Sequence, residues 1–154
     1  MLLTPLTTYL LLSVSCVTFK IMFPLAPFIN FGLADDAWFR LLAIDAAFLH
    51  VAAFAANEFI VKVLGRNNNI HGQEPAQHFQ QAVQILRTRL SQDDEASKVS
   101  DATISVVLTL AISAHLVGDH DSARKHMEGI RKMIILRGGL TSLRGNKLLF
   151  QIFQ

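Results

Sequence analysis

The sequence predicts an all-α fold, an irregular array of about five to six helices built from antiparallel helical hairpins. Three observations predict it. Apolar residues recur at spacings of three and four along most of the chain, and no alternating stretch of the strand kind persists. Aspartate or serine stands just ahead of these periodic stretches, where a helix N-terminus needs an acceptor. Glycine closes them at Gly65, Gly118 and Gly138-Gly139.

The composition supports a folded chain. At 154 residues there is enough sequence for one core, and with 51% hydrophobic and 17% charged residues the chain is too apolar for disorder. It is also apolar for a soluble monomer of this size, so part of the surface is expected to meet a partner. A net charge of +2 argues for no particular class of partner. The one cysteine, Cys16, allows neither an internal disulfide nor a cysteine-based zinc cluster within this chain.

Residues 1–34 form an apolar segment in which Lys20 is the only charged side chain. The run from Leu2 to Phe19 reaches the roughly 18 residues of a membrane span. No Lys or Arg precedes it, so it is a poor signal peptide. Thr4, Thr7, Thr8, Ser13 and Ser15 dilute it and Pro5 interrupts it, which makes it a poor span as well. A membrane anchor and a buried or wrongly assigned N-terminus are the readings this leaves. Phe23-Pro24-Leu25-Ala26-Pro27 then reads as an extended connection.

Residues 35–154 form the helical domain. A short helix is expected around Ala37 to Ala43, capped by Asp35 or Asp36. Asp45 caps a long helix reaching Val61 to Leu64, apolar nearly all round and therefore expected at the centre. Gly65 ends it, and Arg66-Asn67-Asn68-Asn69 is a polar loop. Glu74-Pro75 opens the next helix, with Phe79, Ala82, Val83, Leu86 and Leu90 as its apolar face. Ser91 to Val99 reads as a solvated loop. Ser100 or Asp101 caps a second mostly buried helix, which includes Ile104, Val107, Leu108, Ala111 and Ile112 and stops at Gly118. Asp121 or Ser122 caps the next helix, to about Leu136. Ala123, Met127, Ile130, Met133, Ile134 and Arg137 mark its inner face, and Glu128 and Lys132 form a favourable i, i+4 pair. Gly138-Gly139 stops that helix. A last segment, Leu148 to Phe153, starts near Asn146 and predicts a domain truncated at its C-terminus.

Catalytic sets are not recognisable. Gly138-Gly139 and Gly145 lack the strand and lysine spacing of a phosphate loop, and Cys16 has no histidine near it in sequence. His115, Asp119, His120, Asp121 and His126 form the densest group of metal-ligand types, but a polar interhelical turn with an aspartate cap explains them better than zinc. Between Gly118 and Lys147, Arg124, Lys125, Arg131, Lys132, Arg137, Arg144 and Lys147 outnumber Asp119, Asp121 and Glu128. No aromatic is interleaved with these cations to stack a base, so a solvated face is the better reading than a nucleic-acid surface.

One ordered series carries a family likeness. Gln77-His78-Phe79, Ala82-Val83, Leu86 and Arg89-Leu90-Ser91 are followed by Ser100-Asp101-Ala102-Thr103-Ile104 and Gly118-Asp119. After them come His126-Met127-Glu128-Gly129-Ile130, Met133 and Leu136-Arg137-Gly138-Gly139-Leu140, and upstream stand Phe23-Pro24-Leu25 and Asp45 to His50. The series resembles the fungus-specific regulatory domain found C-terminal to the zinc binuclear cluster in many fungal transcription factors. It covers roughly Phe23 to the end. The resemblance implies a nuclear protein that regulates transcription through contacts with itself, with other proteins such as the transcription machinery, or with small effectors. It brings no catalytic, cofactor or metal residues. The residues singled out are structural: Ser100, Asp101, Gly118, Asp119, His126, Gly129, Arg137, Gly138 and Gly139. The family's cluster needs several closely spaced cysteines, so no zinc-dependent DNA binding is implied for this chain, and direct nucleic-acid binding is not expected of it.

Overall fold

All the regular structure among the described residues is helical. The computed structural model describes residues 40–63, Gly65 and 75–153. The apolar run from Leu2 to Phe19, the proline-punctuated connection, the Asp35/Asp36 cap and the loop at Arg66 to Asn69 lie outside the described residues.

Residues 40–44 are helical, and Asp45 separates them from α1 (Ala46–Glu58). The Asp45 carboxylate accepts from the Phe48 N–H at 2.8 Å, the cap its position in the sequence predicts. α1 passes into a π-helical turn, Phe59–Val63. α2 (Pro75–Ser91) opens on the predicted proline, and a short α3 (Glu95–Lys98) follows. Then come α4 (Asp101–Leu116), α5 (His120–Leu136), a 3-10 turn (Leu140–Leu143) and α6 (Lys147–Ile152).

Two helical hairpins result. α1 packs on α2, α4 packs on α5, and α4 also lies against α1 to join the pairs. Both hairpins are antiparallel. The start of α1 meets the end of α2 through Asp45 and Arg89 at 2.7 Å, and the end of α5 returns to the start of α4 through Arg137 and Asp101.

α4 is the centre. Every residue from Thr103 to Ala111 is buried, and Ile104 and Val106 are fully so. Its two threonines fit because their hydroxyls bond to backbone, whereas the buried Ser113 hydroxyl has no partner among the described residues. Thr103 donates to the Ser97 carbonyl at 2.8 Å and Thr109 to the Ser105 carbonyl at 2.9 Å. α1 is less central than its composition predicts. It buries Ala47, Phe48, Val51 and Ala52, whereas residues 53–58 are half-buried. Much of its apolar character comes from alanines, whose small area costs little to leave partly exposed.

The other departures have local causes. The segment expected as a loop after Ser91 contains α3. Asp94 caps it from the Ala96 N–H, and Lys98 pairs with Glu95 at 2.6 Å. α5 is capped by Asp119, two residues ahead of the expected Asp121, because the Asp119 carboxylate reaches the Ser122 N–H at 3.0 Å. α2 is turned slightly from its expected face: His78, Ala82 and Leu86 are buried, while Phe79 lies at the edge against Phe54. Met127 is exposed, and Glu128 and Lys132 do not pair.

The glycine stops of α4 and α5 are Schellman caps. After α4, the Gly118 N–H reaches the His115 carbonyl at 3.0 Å and the Asp119 N–H reaches Ala114 at 2.9 Å. After α5, the Gly138 N–H reaches Ile135 at 3.1 Å and the Gly139 N–H reaches Ile134 at 2.8 Å. Gly138 takes φ 109°, a left-handed conformation, with no atom within 4 Å of where a Cβ would stand. A side chain there would meet no clash, so the cost of Gly138→Val is conformational. We expect a loss of about 1–2 kcal/mol, read from the urea midpoint.

Candidate functional site

The residues singled out by sequence converge at two places. The first lies where α4 begins and α5 ends. Ser100 caps α4 by accepting from the Thr103 N–H at 3.2 Å, which sets Asp101 in the first helical turn. There a carboxylate also complements the positive end of the helix dipole. Arg137, the last residue before the glycine stop, extends its guanidinium back across the hairpin. It donates to Asp101 Oδ1, to the Val99 carbonyl at 3.3 Å and to the Ser142 carbonyl at 3.3 Å. Asp101 Oδ2 accepts from Asn146 Nδ2 at 3.1 Å, and Asn146 Oδ1 caps α6 through the Leu149 N–H at 3.2 Å.

The Asp101 carboxylate and the Arg137 guanidinium thus tie α4, α5, the 3-10 turn and α6 together. The two carboxylate oxygens are engaged, and their partners are donors with no acid–base role to play. An open cleft of about 370 Å³ adjoins this node, lined by Arg40, Leu41, Ile44, Asp101, Gly145, Asn146 and Lys147. It presents cations, aliphatic side chains and an amide, and no nucleophile beside a base. The sequence singled out Asp101 and Arg137 and started the last helix near Asn146, but gave no sign that the Asn146 amide reaches Asp101.

The second place is the turn between α4 and α5. Gly118 supplies the left-handed residue, and Asp119 completes the α4 stop with its N–H while its side chain starts α5. Hydrogen bonds from Ser122 hold the Asp119 carboxyl below the usual aspartate range. His115 and His120 approach one another with ring centroids 5.1 Å apart, and the half-buried His126 lies further along α5. Burial pushes the His126 pKa down, and the Asp119 carboxylate opposes that shift. Among the described residues no three metal-ligand side chains come together. Gly129 sits in mid-α5 with helical neighbours and open space around it.

A histidine pair that the sequence did not single out joins α1 to α2. His50 Nδ1 and His78 Nδ1 lie 2.9 Å apart, so one ring donates and the other accepts, in two different tautomers. Burial lowers both pKa values, and at His50 the neighbouring His78 adds to the effect. The signal was His78 itself, at i−4 from the buried Ala82. Because the folded pKa values lie below the unfolded value of about 6.5, the stability the pair contributes is complete above that pH. It is lost as pH falls through the lowered folded values. We therefore expect the melting temperature of the wild type to fall between about pH 7.5 and about pH 5 by more than that of His50→Gln/His78→Gln. Equal slopes would mean the pair carries no pH dependence.

A family model described as the fungal specific transcription factor domain matches residues 5–154. The chain belongs to this family. No curated protein and no solved structure matches it. The match begins upstream of Phe23, where the motif series starts, and so takes in most of the apolar run from Leu2 to Phe19. In this fungal transcription factor domain Ser100 and Asp119 are helix caps, Gly118 and Gly138 are stops, and Asp101 with Arg137 forms a clamp between helices.

Proposed function

We propose that this domain is a non-catalytic regulatory module that acts in transcription, in the nucleus, through contacts with other proteins. The observation that carries the reading is the family match across residues 5–154. The geometry supports it, because Asp101, Arg137 and Asp119 are engaged in holding helices together. Direct DNA binding is not part of the proposal, since the chain has one cysteine and its basic stretch carries no aromatic side chain.

The second reading is a membrane-held helical protein, favoured by the run from Leu2 to Phe19. The family match counts against it, because most of that run lies inside the matched length. Among the described residues one helical stretch, Glu95–Leu116, is long and apolar enough to span a bilayer, but it includes the core helix α4 and is 56% buried.

Fusing the chain to a heterologous DNA-binding domain and measuring a reporter gene tests the proposal, with fractionation of the unfused chain alongside. The expected result is nuclear, salt-extractable protein and altered reporter expression that Ile130→Asp abolishes. Sedimentation with membranes that disappears when residues 2–19 are deleted would establish the second reading instead. A reporter unmoved by the fusion would overturn the regulatory one.

A further inference from the structure

The outer face of α5 is the most distinctive surface among the described residues. Ile130 and Ile134 turn inward against α4. The opposite side presents Arg124, Lys125, Glu128, Arg131 and Lys132, all exposed. Arg124 is paired within the helix to Asp121 at 2.9 Å, which leaves Lys125, Arg131 and Lys132 against Glu128. One turn beyond these cations the same face carries Ile135, 60% exposed, and Leu136, 73% exposed. Helical spacing sets Arg131 and Lys132 directly behind Ile135 and Leu136. Gly129, at i+4 from Lys125 and i−3 from Lys132, has no side chain and nothing within 4 Å of where a Cβ would stand, so it leaves a notch between those two cations on the same face.

We propose that this face docks an acidic amphipathic peptide segment of a partner protein, its aliphatic side chains on Ile135 and Leu136 and its carboxylates on Lys125, Arg131 and Lys132. The proposal rests on the protein-contact reading above and specifies the chemistry of the contact. Charge selects the occupant. A second copy meeting this face with its own would set like cations against one another. The chain's own run from Leu2 to Phe19 carries no acid and would leave the cations unpaired. Nucleic acid would meet the cations but would leave the two aliphatic side chains without an apolar partner, and α5 has no aromatic to stack on a base.

The test is fluorescence anisotropy with the full chain and a labelled peptide of about 20 residues, carrying Leu at i, i+3, i+4 and i+7 flanked by Glu and Asp. Saturable binding is expected, weakening as salt rises. Replacing the peptide's acids by Lys, or its leucines by Ser, should each cost about tenfold or more. On the protein, Ile135→Ser/Leu136→Ser and Arg131→Glu/Lys132→Glu should each do the same. These positions are exposed, so the melting temperature should hardly move. Gly129→Leu should fill the notch and weaken binding without lowering the melting temperature, since leucine is the better helix former. The proposal is overturned if the peptide does not bind, or if any of these protein variants binds it as wild type does. Binding of duplex DNA or of phosphatidylserine vesicles, lost in the same variants in place of peptide binding, overturns it too. Failure here with an active reporter removes the docking surface alone; a silent reporter removes the regulatory reading beneath it.

Discussion

Ile130→Asp is expected to unfold the protein. Ile130 is 1% exposed in the middle of α5, on the face that meets the buried run of α4. The substitution removes the burial of an isoleucine, worth about 1.5–3 kcal/mol. It also places a carboxylate within the hydrophobic core that holds Ile104, Val107, Leu108 and Ile134. An unpaired charge in such a place costs several kcal/mol more, or takes up a proton and leaves an unsatisfied acid. Together these reach the about 5–15 kcal/mol that holds a domain of this size together. Leu108→Asp should do the same from the α4 side. Ile135→Asp, five residues along the same helix, should leave stability within about 0.5 kcal/mol because the side chain is already in water. Circular dichroism melts of the three separate the faces. A cooperative wild-type melt for Ile130→Asp would show that α5 is packed the other way round.

The helix ends were the most legible part of the fold, because caps are local chemistry. Asp45, Ser100 and Asn146 each place a side-chain acceptor over the N–H three residues on, and Gly118 and Gly138 each take a left-handed conformation. Neither kind of signal depends on the rest of the molecule. Relative depth was less legible. α1 and α4 are both apolar nearly all round, and what separates them is that α4 lies against α1 and α5 and touches α2 as well, whereas α1 lies mainly against α2 and α4. Periodicity cannot see that, since it reports which faces avoid water and not how many helices meet. The one-turn α3 escaped for a related reason: its apolar content is too low to register, and an aspartate cap with an ion pair holds it.

The candidate site divides along the same line. Ser100, Asp119 and the glycines act through neighbours in sequence and could be read from it. The partners of Asp101 are 36 and 45 residues away, and His50 and His78 are 28 apart. No spacing rule connects such pairs. Only the hairpin geometry brings them together, and a family likeness points to the residues without saying what each one holds.

Asp101→Ala is the second large effect expected, and it tests whether that node is one unit. Removing the carboxylate leaves the Arg137 guanidinium, at 23% exposure, without its counter-ion, and Asn146 without the acceptor that orients its amide. A hydrogen bond to a charged group contributes about 1.5–3 kcal/mol, and the residual exposure places the expected loss near 2 kcal/mol. Arg137→Ala should cost a similar amount, since it also releases the carbonyls of Val99 and Ser142. The informative quantity is the double variant. If the pair acts as a unit, losing both should cost well under the sum of the single losses, with a coupling of about 1 kcal/mol or more. Asn146→Ala should cost about 1 kcal/mol through the lost α6 cap. Asp101→Ala should reach the same place indirectly, speeding hydrogen exchange at the Leu149 amide while amides in the middle of α4 stay protected. Additive losses, with exchange at Leu149 unchanged, would mean that the carboxylate only starts α4 and that α6 is held by its apolar contacts alone.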